Sequence, residues 1–589
     1  MLSRGRDVRA STWALGFALL AVLLYAPSLG YGFVNYDDYT IYLGQKSLFA
    51  GTWGEGLWAI FTELPREEPL WVRDLSWLID SQFFGFGNPL GLHLGNVLAY
   101  GATCAMVFIL LERLGLDRPL VIASTLLFVV HPVHIEPVAW IMGRKDLLST
   151  ALALLASVLW LDVVRAPERR GLVVACTVTS ALAVLSKVNI VVLPGIFLFL
   201  GLYERRRMGL SASRAHVLAW FAICVAVMVP FAGYQWSVGS FGILERSPGP
   251  LDPRSWSELP ALVPAELATY ARHLLIPWDY QIYYDRPKIG VEPSLVEFVM
   301  GSMVGLGLVV TGVLGWRRRP LVSVLVGAGL LALLPYLNLK YIGIVCANRY
   351  LLFPSVFFLP LVVLAARALL RALPNGWKIV LGLGVVWAGV ATGQFVRQLP
   401  AFSKSAALWD YELSVGAPSL NAYASWVDLW LEQVELREDH EERRQMLEEI
   451  ATRAREGIRA FEVLDPRPVE GFVNYGLGYG ARLHYLLART ETQLGAPLGR
   501  RLELLEAADE LFPEPTHPGL PALTQAYFLL AQSHEAGPER DAALTRCLAV
   551  LRRSATDPEY EEGARAAAAV IANRFPQIRA ELVDMGWLP

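Results

Sequence analysis

The stretch 119-PLVIASTLLFVVHPVHIEPVAWIMGRKDLLSTALALLASVLWLDVV-164 holds two apolar runs, 119–134 and 146–164. Across their junction, from 131 to 146, fall two histidines, two prolines, a glutamate and a Gly-Arg-Lys-Asp step. A bilayer core about 30 Å thick takes roughly 20 apolar residues as a helix, so the pattern predicts two membrane helices meeting at a polar turn. Nine further runs of this kind fall near 12–29, 93–111, 171–186, 188–203, 215–233, 293–315, 320–337, 350–366 and 377–395. The predicted fold class is therefore all-α, a polytopic membrane protein with about eleven transmembrane helices.

Composition divides the 589-residue chain at about residue 400. Overall it is 54% hydrophobic and 18% charged with a net charge of −3, low in charge for a soluble protein. After residue 400 there are 19 basic and 30 acidic residues, a net −11, which leaves about +8 on the front part. A basic apolar front suits contact with anionic lipid head groups, and an acidic, more polar tail suits water. Tail segments 441–464, 480–491, 498–511, 522–534, 538–553 and 559–574 read as short amphipathic helices broken by Pro or Gly, spaced like the helix pairs of a TPR-like domain. Two domains follow: 1–400 in the membrane and 401–589 outside it. The first run follows Arg4, Arg6 and Arg9 but has no small-residue cleavage site, so it is read as a retained helix.

Orientation follows from the loop cations. Arg113 and Arg118, then Arg165, Arg169 and Arg170, then Arg205 to Arg207 and Arg214, then Arg317 to Arg319, then Arg367, Arg371 and Lys378 mark every second loop. These loops are predicted to be cytoplasmic, with the N-terminus. The tail then lies outside, which in a bacterium places the protein in the inner membrane with its C-terminal domain in the periplasm. Long outer loops 30–92 and 234–292 carry the amphipathic pieces 69–84 and 259–278, suited to walls of an outward cavity.

The opposite face has few cations, and those it has stand out: Arg73, Arg144, Lys145, Lys187, Lys340 and Arg349. Asp37 and Asp38, His93 with Asn96, and His131, His134 and Glu136 share that side. Ionisable groups near lipid are costly, so their gathering on one face points to a site. Two neighbouring carboxylates could take a proton from a hydroxyl or bind a cation; a helix cap is the plainer alternative. Arg144 beside Lys145 suits a phosphate clamp, with helix capping or pairing to Glu136 or Asp146 as the alternative. His131, His134 and Glu136 spell H-x-x-H-x-E, but the prolines bend this stretch, whereas metal-binding histidines on one helix prefer i,i+4 spacing. Shaping of a substrate site and plain structural hydrogen bonding are the other two readings. Five dispersed cysteines form neither a disulfide framework nor a zinc pattern. Nothing resembles a nucleic-acid module.

Together, 127-LFVVHPVHIEPVAWIMGRKDLLS-149, 36-YDDY-39, 73-RDLSWLID-80, 93-HLGN-96, 185-LSKVNIVVLP-194, 333-LLPYLNL-339 and 348-NRYLLFPS-355 resemble the TMTC family, transmembrane and TPR-containing O-mannosyltransferases of the GT-C glycosyltransferase superfamily. Asp74, Tyr100 and Val188 depart from the family pattern, where a proline, a second histidine and an acidic residue are usual. The resemblance implies inverting transfer of a sugar from a polyprenyl-phosphate-linked donor to a hydroxyl of a protein or an envelope glycan or lipid, on the outer membrane face. It implies Asp37 or Asp38 as the base and Arg144, Lys145, Lys187 and Arg349 as donor-phosphate ligands. Arg73, His93, Asn96, His131, His134 and Glu136 would then shape the substrate site. No cofactor is assigned, and a divalent metal is left open. Two rival readings are a lipid-glycan transporter, which should concentrate polar residues at the bilayer midplane, and an inactive anchor presenting the tail as a protein-binding module.

Overall fold

The structure, a computed structural model, describes residues 2–63, 68–237, 259–284, 294–337, 346–416, 418–464, 475–511, 520–556, 558–584 and 587. Lys340 and residues 238–258 and 285–292 of the outer loop 234–292 lie outside the described residues. The described residues are helical, with one isolated β-bridge between Tyr284 and Cys346. They divide into two compact units, the first running through Gly416 and the second comprising chiefly Ala417 onwards.

In the first unit every apolar run of the sequence falls on helix. Among the described residues eight helices are long and apolar enough to cross a membrane: Ala10–Gly30, Pro89–Arg113, Ile141–Arg165, Val188–Met208, Arg214–Tyr234, Leu295–Arg318, Asn348–Ala372 and Gly376–Ser403. Run 119–134 forms the bent pair Arg118–Val130 and Pro132–Ala139, which meet at 50°, and two shorter apolar helices are Arg170–Ser186 and Pro320–Tyr336. The chain is thus a multi-pass membrane protein. Leu295, Val296, Met303, Leu306, Val313 and Leu314 on the Leu295–Arg318 helix are exposed, as lipid-facing side chains are.

Four elements position the candidate site: α1 (Trp71–Phe84), α2 (Pro89–Arg113), α3 (Arg118–Val130) and α4 (Arg144–Arg165). The amphipathic piece 69–84 becomes α1, which buries Trp77 and Leu78 and leaves Phe83 exposed. Helix α2 starts at Asn88, whose side chain accepts from the Leu90 N–H at 3.1 Å, with Pro89 in its first turn, a start favoured because it satisfies an orphan donor.

Between α3 and α4 the chain breaks into short helical turns, Pro132–His134, Ile135–Ala139 and Ile141–Gly143, and is buried throughout from residue 131 to 144. Buried backbone groups outside helices need other partners, and motif side chains supply them. Asn96 donates to the carbonyls of Trp140 (2.7 Å), Val138 (3.3 Å) and Ile141 (3.4 Å). The Tyr100 hydroxyl reaches the Phe128 and Val129 carbonyls at 3.1 and 3.0 Å. Gly143 is required here, because a Cβ would come within 2.1 Å of the Pro137 carbonyl oxygen.

The other end of the bundle gathers the basic loops. Arg113 pairs with Asp162, Arg165 with Glu204 at 2.7 Å and Arg207 with Glu204 at 2.9 Å. Arg206 donates to the carbonyls of Trp316 and Arg317. Loops near 113, 165, 206 and 317 therefore meet at one end, as their alternation in the sequence requires.

In the second unit, α5 (Leu420–Val434), α6 (His440–Leu464), α7 (Tyr475–Gln493), α8 (Leu498–Leu511), α9 (Leu520–Ser533), α10 (Pro538–Ser554) and α11 (Pro558–Arg574) follow one another, each packed on the next.

Candidate active site

Asp37 and Asp38 stand where the chain enters a short π-helical turn, Asp38–Leu43. The turn separates them. Asp38 is buried and its Oδ2 accepts from the Val34 N–H at 2.9 Å. Burial, reinforced by the Asp37 charge, raises its pKa to about 8 against the opposing Val34 N–H and Trp140 indole. Asp37 is half-buried. Burial raises its pKa too, while Lys145, Arg349 and Arg73 pull it back. Asp37 is thus the carboxylate that lies in the field of the cations.

Arg73, Arg144, Lys145, Lys187 and Arg349 all have carboxylate partners. Arg73 is buried over the Trp77 ring, bonded to Asp74 (2.9 Å) and Glu68 (2.5 Å) and to the Glu68 carbonyl (2.6 Å). Lys145 donates to the other Glu68 oxygen at 2.6 Å. Lys187 pairs with Asp146 at 2.5 Å and lies 5.2 Å from the ring centres of both Tyr336 and Tyr350. Arg349 pairs with Glu136, which also accepts from the Arg349 backbone N–H, and its guanidinium lies 5.1 Å from both the Trp140 and the Tyr350 ring. Among the described residues Lys145 and Lys187 each give one hydrogen of three, and Arg349 gives one side-chain nitrogen. These three retain donors for a ligand.

Arg144 does not. It is buried, and its donors go to Asn96 (2.6 Å), Ser76 (3.1 Å), Asp80 (2.8 Å) and the Leu92 carbonyl (2.6 Å). Its guanidinium lies so close to α2 that a Cβ at Gly95 would approach Nη2 to 2.1 Å. The phosphate clamp read from adjacent Arg144 and Lys145 is therefore split: the two side chains take different partners, and Arg144 ties α4 to α1 and α2. This is a pairing role, but its acid is Asp80 and not Glu136 or Asp146.

His131 and His134 likewise spend both ring nitrogens on the fold, and His93 spends one. His131 Nε2–H donates to the Leu274 carbonyl at 3.1 Å, and Nδ1 accepts from the Val133 N–H at 3.2 Å. His134 Nδ1–H donates to the Phe128 carbonyl at 2.9 Å, and Nε2 lies 3.0 Å from the Ser355 hydroxyl. His93 Nε2–H donates to the Gly32 carbonyl at 3.3 Å. H-x-x-H-x-E does not converge, and among the described residues no three His, Cys, Asp or Glu side chains do.

Glu68 is the residue sequence reasoning missed. It sits in 64-LPREEPLW-71, where its only signal is an acidic pair ahead of Arg73. Burial would raise its pKa, but Lys145 and Arg73 hold it down to about 2.

No family model matches the chain. It is 32% identical over 177 residues to Protein O-mannosyl-transferase Tmtc2 of Drosophila melanogaster, covering 28% of this chain and 19% of that protein. It is 33% identical over 159 residues to Protein O-mannosyl-transferase Tmtc1 of the same fly (24% and 17%), and 31% over 167 residues to Protein O-mannosyl-transferase TMTC4 of Mus musculus (24% and 22%). The chain thus spans about a fifth of the length of these curated relatives. Among solved structures, ArnT from Cupriavidus metallidurans bound to undecaprenyl phosphate aligns over 93% of this chain and 89% of its own at 13% identity, with a TM-score of 0.33. Over about a quarter of its length, then, this membrane protein is similar to the TMTC protein O-mannosyltransferases.

Proposed function

We propose that the protein is an inverting membrane glycosyltransferase that moves a sugar, mannose being the first candidate, from a polyprenyl-phosphate donor to a hydroxyl acceptor. The observation that carries this reading is Asp37 held in the field of Lys145 and Arg349 at one end of a bundle of apolar helices. A base for a hydroxyl and a cationic seat for a departing phosphate are the two things such a transfer needs. An apolar donor tail would lie among the spans and bring its phosphate to that end.

In the proposed reaction Asp37 takes the proton of the acceptor hydroxyl as its oxygen attacks the anomeric carbon from the face opposite the phosphate. The bond from that carbon to the phosphate oxygen breaks with its electron pair on oxygen, where Lys145, Lys187 and Arg349 stabilise the charge. The configuration inverts. Asp38, protonated at neutral pH, holds the turn through Val34. Arg73, His93, Asn96, His131, His134, Glu136 and Arg144 position these groups. In a bacterium the site would face the periplasm, with the tail a TPR-like module that recruits a protein or glycan acceptor. The test is transfer in vitro from polyprenyl-phosphate mannose to a Ser/Thr peptide pool. A product whose anomeric configuration is opposite to that of the donor supports the reading; a product of retained configuration, or no transfer from any polyprenyl-phosphate sugar, removes it.

A further inference from the structure

Four cations of this cluster are matched by four acids. Arg73 pairs with Glu68 and Asp74, Lys145 with Glu68, Lys187 with Asp146 and Arg349 with Glu136. Cations and acids cancel, and Asp37 adds a further negative charge. A lipid phosphate entering such a site would bring an uncompensated charge into a poorly solvated place, which is costly. One carboxylate must therefore withdraw.

The four acids differ in how readily they could. The side chains of Asp74, Asp146 and Glu136 are 1%, 3% and 0% exposed, whereas that of Glu68 is 23% exposed. Glu68 alone can regain water by a side-chain rotation. It is also the acid that uses two oxygens on two different cations, Oε2 on Arg73 at 2.5 Å and Oε1 on Lys145 at 2.6 Å. Two phosphate oxygens would take the same two partners.

We infer that the Glu68 carboxylate marks the lipid-phosphate position between Arg73 and Lys145, and that a polyprenyl phosphate binds there by displacing it. The inference rests on the glycosyltransferase reading for the ligand's identity. It adds Arg73, freed from Glu68, to the phosphate ligands. It also gives product departure a cause: after transfer the lipid phosphate is a monoester of about −1.5 to −2 charge, and the returning carboxylate competes with it for both cations.

The test uses the full chain in nanodiscs and measures binding of undecaprenyl phosphate to wild type, Glu68→Gln and Glu68→Asp, with phosphatidylglycerol as a second ligand. Glu68→Gln removes the competing charge and should tighten undecaprenyl phosphate binding by on the order of tenfold. Glu68→Asp keeps the charge but is too short to reach both cations, so it should tighten binding by a smaller factor and carries the test if the Gln variant does not fold. Unchanged or weaker binding in the folded variants overturns the inference. An equal gain for phosphatidylglycerol overturns the polyprenyl assignment in favour of a bilayer phospholipid. A gain in affinity in a protein that transfers no sugar would sink the glycosyltransferase reading and leave the displacement standing; transfer without the gain would do the reverse.

Discussion

Arg144→Ala should unfold the site end of the bundle more easily and should leave lipid-phosphate binding nearly intact in the molecules that remain folded. The magnitude follows from what the guanidinium holds. Its removal strands the Asp80 carboxylate, whose side chain is 14% exposed, the Asn96 Oδ1 and the Leu92 carbonyl. Burial already raises the Asp80 pKa, and Arg144 is the charge that opposes this. Breaking a buried ion pair by deleting one partner costs about 3–5 kcal/mol, more than any single neutral hydrogen bond. Arg144→Lys supplies the charge but not the four-way geometry and should recover only part of the loss. Gly95→Ala should imitate Arg144→Ala without replacing a charged residue, since the new Cβ falls 2.1 Å from the Arg144 Nη2 and must push the guanidinium aside. Denaturant or thermal unfolding in detergent, followed beside undecaprenyl phosphate binding, separates the two roles. A stable Arg144→Ala protein whose lipid-phosphate affinity falls about a hundredfold would refute the reasoning and make Arg144 a phosphate ligand.

Two further outcomes follow from the same geometry. Asp38 has a pKa near 8 in the fold against an ordinary 3.8, so between about pH 4 and 8 the folded chain keeps a proton that the unfolded chain gives up, and stability falls by at most about 1.4 kcal/mol per pH unit from this group. Asp38→Asn should therefore be no less stable than wild type at low pH and gain on it as pH rises to about 8; a difference independent of pH contradicts this. For topology, a cysteine introduced near residue 430 should be labelled from outside intact cells and one near Arg206 should be protected, the reverse pattern overturning the assignment of faces.

Much of the fold was legible because hydrophobicity is local. Each apolar run fell on a helix, and the cation alternation foretold that the loops near 113, 165, 206 and 317 would share an end, as their ion pairs show. Pro132 and Pro137 announced the bend that the structure places at 50°. What could not be read was pairing across long separations. Arg144 is 64 residues from Asp80 and Lys187 is 41 from Asp146, and no spacing rule links them. The departures from the family pattern find local explanations of the same kind. Asp74, in place of a proline, bonds Arg73 at 2.9 Å. Tyr100, in place of a histidine, lies 3.0 Å from His134 Nδ1. Val188 removes an acid beside Lys187, and Asp146 supplies one. The two aspartates were inseparable in sequence because only the backbone turn at Asp38 sends one inward to Val34 and leaves the other among the cations.

The central claim is that Asp37, and not Asp38, takes the acceptor's proton. It is tested most directly by single-turnover transfer from polyprenyl-phosphate mannose at neutral pH, comparing wild type, Asp37→Asn and Asp38→Asn at saturating donor. Asn keeps the shape of Asp but accepts no proton, so Asp37→Asn should cut the rate by about 10² to 10⁴ with little change in donor affinity, while Asp38→Asn stays within about tenfold of wild type. Near-normal transfer by Asp37→Asn, or a larger loss in Asp38→Asn than in Asp37→Asn, would contradict it.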